Sequence, residues 1–230
     1  MNLLHFLEGK NQIKRSSTFL IILVLYFFST TAFAQKQIPF ELTFHLKTVT
    51  KDSVEIETFK FYISDLKLKQ NDQLVYENKH LFKLIDLSED SVFTASTFVP
   101  SHLLFNSISF SIGVDSSTNK EGIHSGDLDP TKGMYWTWQS GYINLKLEGT
   151  SPSCPTRHHK FQYHIGGFKE GEYPIQTLIY PASNNYSKDI YVELDLFFST
   201  IDLTKENTMM IPGKQAVELS KKMILAFGNK

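Results

Sequence analysis

The chain has 230 residues, of which 41% are hydrophobic and 13% aromatic, and its formal net charge is −1 at pH 7. This length suits one large domain or two small ones, and the hydrophobic content is enough for a substantial core. A nucleic-acid-binding protein would carry a clustered basic face, so the charge balance argues against nucleic acid as a partner.

The first 34 residues have the features of a cleavable export signal. Residues 10–15 contain three basic side chains, residues 19–28 are apolar, and residues 32–34 read Ala-Phe-Ala. The apolar stretch is shorter than the ~20 residues of a membrane-spanning helix. We therefore expect a signal peptide over residues 1–34 and a mature domain over residues 35–230. The mature domain is expected to have no membrane span and a periplasmic or secreted location.

Alternation of apolar and polar residues predicts β-strands through most of the mature chain. The predicted strands are residues 40–49, 57–69, 82–87, 103–114, 135–148, 160–165, 175–180 and 190–199, the last with the cleanest alternation. Asn71-Asp72 predicts a hairpin turn, and only residues 214–227 have helical spacing. Many short strands and one terminal helix predict an all-β fold, a single antiparallel sandwich or barrel-like domain with a C-terminal helix.

A long turn-rich segment separates two of these strands. Residues 115–132 exceed the ~12–15 residues at which irregular loops become uncommon, and such loops are usually functional or disordered. This segment leads into Met134-Tyr135-Trp136-Thr137-Trp138, which is too aromatic for disorder, so we expect an ordered functional loop. Its aspartates, Asp115, Asp127 and Asp129, are typical of side chains that stabilise turns, with a nonstandard Ca²⁺ loop as the alternative.

The sequence contains no hydrolase signature, P-loop or Rossmann glycine motif. No nucleophile–base pair is recognisable, and carboxylates such as Glu148 and Glu193 are typical of a charged strand surface. These observations predict a protein that is not an enzyme. Cys154 is the only cysteine, so no internal disulfide can form, and a buried thiol is favoured over a metal ligand.

Two histidines lie on the polar faces of predicted strands, His45 on the first and His164 beside the Gly166-Gly167 break. Strands distant in sequence can pair, so the two imidazoles could meet on one surface and bind copper or zinc. The alternative is two unrelated surface histidines. Weaker metal candidates lie in the predicted loops, namely His124, His158 and His159.

Trp136 and Trp138 are the only tryptophans, and two residues that differ by two share one face of a strand. Core packing explains such a pair, because large aromatic side chains contribute much buried area. The functional alternatives are an exposed platform for sugar stacking and an oxidisable pair beside a metal. Periodicity does not separate these alternatives.

Four segments together resemble the MbnP-like family, the methanobactin-associated periplasmic copper-binding proteins, in a variant typical of Bacteroidetes. The segments are FKFYISDLKL, FSIGVD, GDLDPTKGMYWTWQSGYINLKLEG and FQYHIGGF. The resemblance implies an exported β-rich protein that binds copper for its acquisition, storage or handling.

The resemblance also implies a tryptophan oxidised to kynurenine by a dihaem peroxidase-like partner enzyme, beside a copper held by histidines. Carried over to this chain, His164 and then His45 match the ligands, and Trp136 and Trp138 match the oxidisable pair. The chain lacks the paired cysteines of methanotroph members. The alternative function is a carbohydrate- or protein-binding β-sandwich module without metal.

Overall fold

The computed structural model describes residues 36–183 and 185–228, so the predicted signal peptide lies outside the described residues. From Gln37 onward the described residues form one compact unit. The described strands are β1 (Gln37–Leu46), β2 (Glu55–Gln70), β3 (Gln73–Asp86), β4 (Val92–Pro100), β5 (Ser107–Ile112), β6 (Tyr135–Thr137), β7 (Gly141–Thr150), β8 (Lys160–Gly166), β9 (Gln176–Pro181), β10 (Ser187–Val192), β11 (Thr208–Met209) and β12 (Phe227–Gly228).

Helices are short and lie between the strands. The α-helices are α1 (Ser116–Glu121), α2 (Leu194–Phe198) and α3 (Lys214–Met223), and 3₁₀ turns cover Lys51–Ser53, Gly126–Leu128, Pro130–Lys132, Arg157–His159 and Ile224–Ala226. Among the described residues, none of these helices has the length and apolarity needed to cross a membrane.

The strands form two sheets. The small sheet has the order β12-β10-β1-β4, and the large sheet has the order β11-β8-β7-β2-β5-β9, with β3 also paired to β2 and β6 to β7. Pairing is antiparallel except between β1 and β10 and between β8 and β11, which are parallel. The predicted all-β sandwich with a C-terminal helix is therefore confirmed, with mixed sheets in place of purely antiparallel ones.

The main core lies between the inner faces of the two sheets. Phe44 of β1 packs edge-on against Phe61 of β2, with ring centroids 5.2 Å apart, so the sheets meet through aromatic contacts. Full burial of one such side chain contributes about 1.5–3 kcal/mol to stability. Successive strand residues point to opposite faces, so the neighbours of core residues on β1 and β8 are turned away from this core.

The long segment between β5 and β7 leaves the large sheet beside β2 and returns to the same edge of β2. β3 occupies one edge of β2 over Lys60–Gln70, so β5 and β7 both lie along the other edge, one after the other. The segment from residue 113 to residue 140, called the excursion below, connects them. It begins at Gly113, where φ is +122° and an added Cβ would lie 2.6 Å from Asn144 Cγ.

The excursion is ordered, as predicted, because its polar side chains bond its own backbone. Asp115 accepts a hydrogen bond from Thr118 N and caps α1, and Asp129 accepts one from Thr131 N. Asp127 Oδ2 accepts a hydrogen bond from Leu84 N of β3. The aspartates thus stabilise turns and anchor the excursion, which supports the turn-forming role over a Ca²⁺ loop.

A second apolar cluster lies beneath the excursion, on the outer face of the large sheet. Its buried members are Tyr62, Val114, Leu128, Met134, Tyr142 and Ile143, and Phe82, Leu84, Tyr135 and Trp136 pack against it. This group is called the outer cluster below. It holds the excursion against the sheet independently of the core between the sheets.

Asn119 fastens the excursion to β7. Its side chain is 2% exposed, donates hydrogen bonds of 3.0 Å to Val114 O and Asp115 O, and accepts one of 2.8 Å from Tyr142 N. Replacing it with alanine leaves buried backbone groups without partners. We expect Asn119→Ala to lower the free energy of unfolding by about 2–4 kcal/mol.

Urea denaturation measures this loss. The matched control is Lys120→Ala, which changes the exposed neighbour on the same helix and is expected to alter stability by less than about 0.5 kcal/mol. Equal stability of the two variants would contradict the anchoring role of Asn119.

Three of the predicted strands differ from the observed elements, and neither β4 nor α1 was predicted. Residues 190–199 do not form one strand, because β10 ends at Val192 and α2 follows, burying Leu194, Phe197 and Phe198 at helical spacing. The strand predicted over residues 135–148 is two strands joined by a tight turn, β6 and β7. The short strand predicted over residues 82–87 is the second half of the long β3.

Candidate metal centre

His164 lies on β8 with its side chain on the outer face of the large sheet. The neighbouring residues Tyr163 and Ile165 are buried in the core between the sheets, so the imidazole points the other way. Its side chain is 13% exposed, and Nε2 lies 2.7 Å from Glu148 Oε1 on β7. The imidazole is therefore held by its neighbouring strand and still reaches solvent.

Glu148 is the centre of a small polar network around this imidazole. Gln162 Nε2 donates to Oε1 at 3.3 Å, and Lys146 Nζ lies 3.8 Å from Oε2. Burial acts to raise the pKa of Glu148, but the hydrogen bond from His164 and the charge of Lys146 outweigh it and hold the pKa below its ordinary value. Glu148 is therefore an ionised hydrogen-bond acceptor beside His164, a role that its interpretation as plain strand-surface charge missed.

Trp136 lies on the same outer face as His164. The indole packs against the outer cluster and is partly buried, and its Cζ3 atom lies only 3.1 Å from where a Cβ on Gly166 would be. Gly166 and His164 are two residues apart on β8, so they face the same side with Cα atoms about 7 Å apart. The fold thus places the six-membered ring of Trp136 against Gly166, two residues along β8 from His164.

Trp138 does not share this environment. β6 ends at Thr137 and its pairing with β7 is irregular, so Trp138 lies in the turn that follows and is 75% exposed. The prediction that the two tryptophans share a strand face is wrong, because the strand is too short to include both. Trp136 is the one that packs against the outer cluster and over Gly166.

Gly166 is the position that admits the indole. A Cβ there would lie 2.4 Å from Tyr142 O as well as 3.1 Å from Trp136 Cζ3. Because the first contact is with backbone, β7 and β8 must separate to accommodate it. We expect Gly166→Ala to lower the free energy of unfolding by about 1–3 kcal/mol and to shift the tryptophan fluorescence.

The control for this substitution is Gly228→Ala, because an added Cβ at Gly228 meets nothing within 4 Å. Chemical denaturation followed by fluorescence measures both effects together. An unchanged midpoint and emission maximum for Gly166→Ala would show that the indole does not rest on this glycine.

His45 occupies the outer face of the small sheet. Its neighbour Phe44 is buried in the core between the sheets, and the imidazole Nε2 lies 2.7 Å from Asp189 Oδ1. The ring also stacks on Tyr191 with centroids 4.9 Å apart. These contacts fix the imidazole within its own sheet.

The structure does not bring His45 and His164 together. They lie on different sheets, and each side chain is on the face turned away from the shared core. The expectation that sheet pairing carries both imidazoles to one surface is therefore not met, because β1 and β8 pair with other strands. A metal ion held by both rings does not fit this arrangement.

The remaining candidates lie elsewhere. His124 Nε2 is 3.3 Å from Thr118 O and 3.6 Å from Glu121 Oε2, within the excursion. His158 and His159 form the turn before β8, and His159 is about 17 Å along the strand from His164. Cys154 is buried in the core, as expected, and burial raises the pKa of its thiol.

A polar groove of about 560 Å³ is lined by residues of β2, β3 and the α1 part of the excursion. Its lining includes Asp65, Lys67, Glu77 and Asp115. These charges satisfy one another or the backbone, because Lys67 Nζ lies 2.6 Å from Asp65 and 3.4 Å from Glu77, and Asp115 caps α1. The groove carries more carboxylates than lysines, and the carboxylates of Asp65, Glu77 and Asp115 are engaged in these ion pairs and the helix cap.

The donor set at His164 is incomplete for a metal ion. The described residues contain no group of three or more His, Cys, Asp or Glu side chains placed to hold one. His164 and Glu148 offer two metal ligands. The indole nitrogen of Trp136 adds none, because its N–H only donates hydrogen bonds and has no lone pair for a metal. The unmodified side chains on this face therefore do not by themselves make a copper site.

The comparisons with known proteins agree with this fold. The MbnP family model matches residues 28–212. The solved structure of MbnP from Methylosinus trichosporium is similar with a TM-score of 0.52, over 79% of this chain and 87% of that chain. The sequence identity is 12%, so this likeness concerns the fold alone. None of the curated proteins matches the chain significantly.

Proposed function

The chain belongs to the MbnP family, and from this premise we propose that it is an exported copper-binding protein for copper acquisition, storage or handling. The proposed site is the outer face of the large sheet at His164 and Trp136. The observation that carries the proposal is the packing of Trp136 on Gly166, two residues from His164. The half-buried tryptophan and the partly exposed imidazole thereby lie on the same face of the large sheet, two residues apart along β8.

Oxidation of Trp136 would complete the donor set. Conversion of an indole to kynurenine adds two oxygen atoms from an external peroxide or dioxygen across the C2–C3 bond, which opens the five-membered ring. Hydrolysis then releases the formyl carbon as formate and leaves an aryl amine and a ketone, both able to bind a metal. Copper accepts imidazole and amine nitrogen together. The residues that would hold copper are then His164 and the modified residue 136, with Glu148 behind the imidazole.

The oxidation needs an oxidant from outside the chain, and we propose a dihaem peroxidase-like partner enzyme as its source. Trp136 lies at the edge of the outer cluster beside the exposed turn that carries Trp138, so its ring is supported by the fold and open to one side. In this proposal the chain binds copper and carries out no turnover of its own.

Copper stoichiometry and intact mass together test the proposal. Protein co-produced with its oxidising partner is expected to gain about 4 Da, as one carbon is replaced by one oxygen, and to bind one copper ion per chain. Protein with the unmodified mass is expected to bind copper weakly. Equal and weak binding by both forms would reject the proposed function.

The exposed Trp138 favours one alternative, a carbohydrate-binding surface. Its indole is 75% exposed at a turn, where a sugar ring could stack on it. Quenching of tryptophan fluorescence by a glycan panel, lost in Trp138→Ala and insensitive to copper, would support this alternative.

A further inference from the structure

Asn144 of β7 is a buried amide of which only the oxygen has a partner. Its side chain is 1% exposed, and Oδ1 accepts a hydrogen bond of 3.0 Å from Val114 N at the start of the excursion. A backbone N–H donates only to an acceptor, so this contact identifies the bonded atom as the amide oxygen. Among the described residues, Nδ2 has no hydrogen-bond partner. A buried donor of this kind is rare in folded proteins and points to a bound group.

Asn144 lines a small cavity that the large sheet shares with the C-terminal segment containing α3. Most of the wall is apolar, and its polar side chains are Asn144, Gln176 and Ser220. A water molecule can occupy about 10 Å³ of this cavity, and one buried water needs about 10–15 Å³. The cavity therefore accommodates one water molecule and is too small for a larger ligand.

Gln176 of β9 and Ser220 of α3 supply acceptors to the same cavity. Ser220 Oγ donates to Val217 O at 2.7 Å, so its own proton is used, and it accepts a hydrogen bond of 3.0 Å from Gln176 Nε2. The amide oxygen Oε1 of Gln176 and the second lone pair of Ser220 Oγ can each accept one further hydrogen bond. One donor and two acceptors match a water molecule, which accepts from the donor and donates to the acceptors.

We propose that one water molecule is bound in this cavity as a fixed part of the fold, accepting from Asn144 Nδ2 and donating to Gln176 Oε1 and Ser220 Oγ. Empty cavities are typical of wholly apolar walls, whereas buried waters typically make about three hydrogen bonds to polar groups that otherwise lack partners. The water joins α3 to β7 and, through Asn144 Oδ1, to the start of the excursion. This role is independent of copper.

A crystal structure at a resolution that shows ordered water tests the proposal on the unaltered chain. We expect one density peak in the cavity, within about 3.2 Å of Asn144 Nδ2. In solution, the side-chain NH₂ of Asn144 is expected to give a nuclear Overhauser cross-peak to a long-lived water. A cavity without density, or an Nδ2 that donates directly to a protein atom, would overturn the proposal.

The substitution Ser220→Ala tests the link between α3 and the excursion. It removes one acceptor of the water and the hydroxyl that orients Gln176. We expect the cross-peak to disappear and the Val114 amide to exchange with solvent about 10-fold faster, the effect of losing about one net hydrogen bond. The amide of Phe61, in the core between the sheets, reports any general loss of stability.

The matched control is Gln215→Ala, which changes an exposed residue of the same helix. It is expected to leave the cross-peak and the exchange of Val114 unchanged. Exchange of Val114 that is no faster in Ser220→Ala than in this control would contradict the link. Should Ser220→Ala fail to fold, the density and the cross-peak of the unaltered chain still decide whether the water is bound.

Discussion

Replacing His164 with alanine is expected to abolish stoichiometric copper binding and to lower copper affinity by more than about 100-fold. This loss of affinity exceeds the 10–100-fold loss typical of residues that only orient a metal ligand, because here the ligand itself is removed. The measurement is a competition titration with a Cu(I) chelator on protein that has acquired the oxidised tryptophan. Circular dichroism and the unfolding midpoint show whether the variant keeps its fold.

His45→Ala is the matched control. It removes an imidazole of similar environment, since His45 also bonds a carboxylate and lies on the outer face of its sheet. Because the core separates it from His164, we expect copper affinity to change by less than about 2-fold, within the noise of surface substitutions. A large loss in His45→Ala with little change in His164→Ala would place the site on the small sheet and contradict the proposal.

Replacing Trp136 with phenylalanine is expected to prevent both the mass increase of about 4 Da and stoichiometric copper binding. Phenylalanine keeps an aromatic ring over Gly166 and against the outer cluster, so the fold is retained while the oxidisable indole is lost. Intact mass spectrometry after co-production with the oxidising partner measures the modification, and the chelator titration measures the affinity.

Trp138→Phe separates the two tryptophans. Because Trp138 is exposed in the turn and is not packed on Gly166, its replacement is expected to leave both the mass increase and the copper affinity intact. If the modified mass persists in Trp136→Phe and disappears in Trp138→Phe, the oxidised residue is Trp138, which contradicts the proposed site.

Most of the strands follow from alternation alone. Asn71 and Asp72 both adopt positive φ, 49° and 65°, and form the hairpin turn that their residue types predict. α2 was misjudged because Leu194, Phe197 and Phe198 satisfy helical spacing within a stretch that also alternates. Only packing against the core decides between the two patterns, and a single sequence does not contain that information.

The sequence predicts the strand face of each site histidine but not the sheet to which the strand belongs. Alternation correctly placed His45 and His164 on faces turned away from the core, but it does not tell which sheet a strand joins. Placing His45 in the small sheet depends on the parallel pairing of β1 with β10, which involves residues 41–46 and 187–192. The partnership of Glu148 with His164 likewise needs the β7–β8 register. Antiparallel pairing of these two neighbouring strands was the one signal that could have suggested it.

The position of copper in the exported protein tests the central claim most directly. Anomalous diffraction at the copper absorption edge, on crystals of protein carrying the modified tryptophan, locates the ion without assumptions about its ligands. We expect a single peak within bonding distance of the His164 ring and next to residue 136, on the outer face of the large sheet. A peak beside His45 and Asp189, or no peak in protein with the modified mass, would contradict this account.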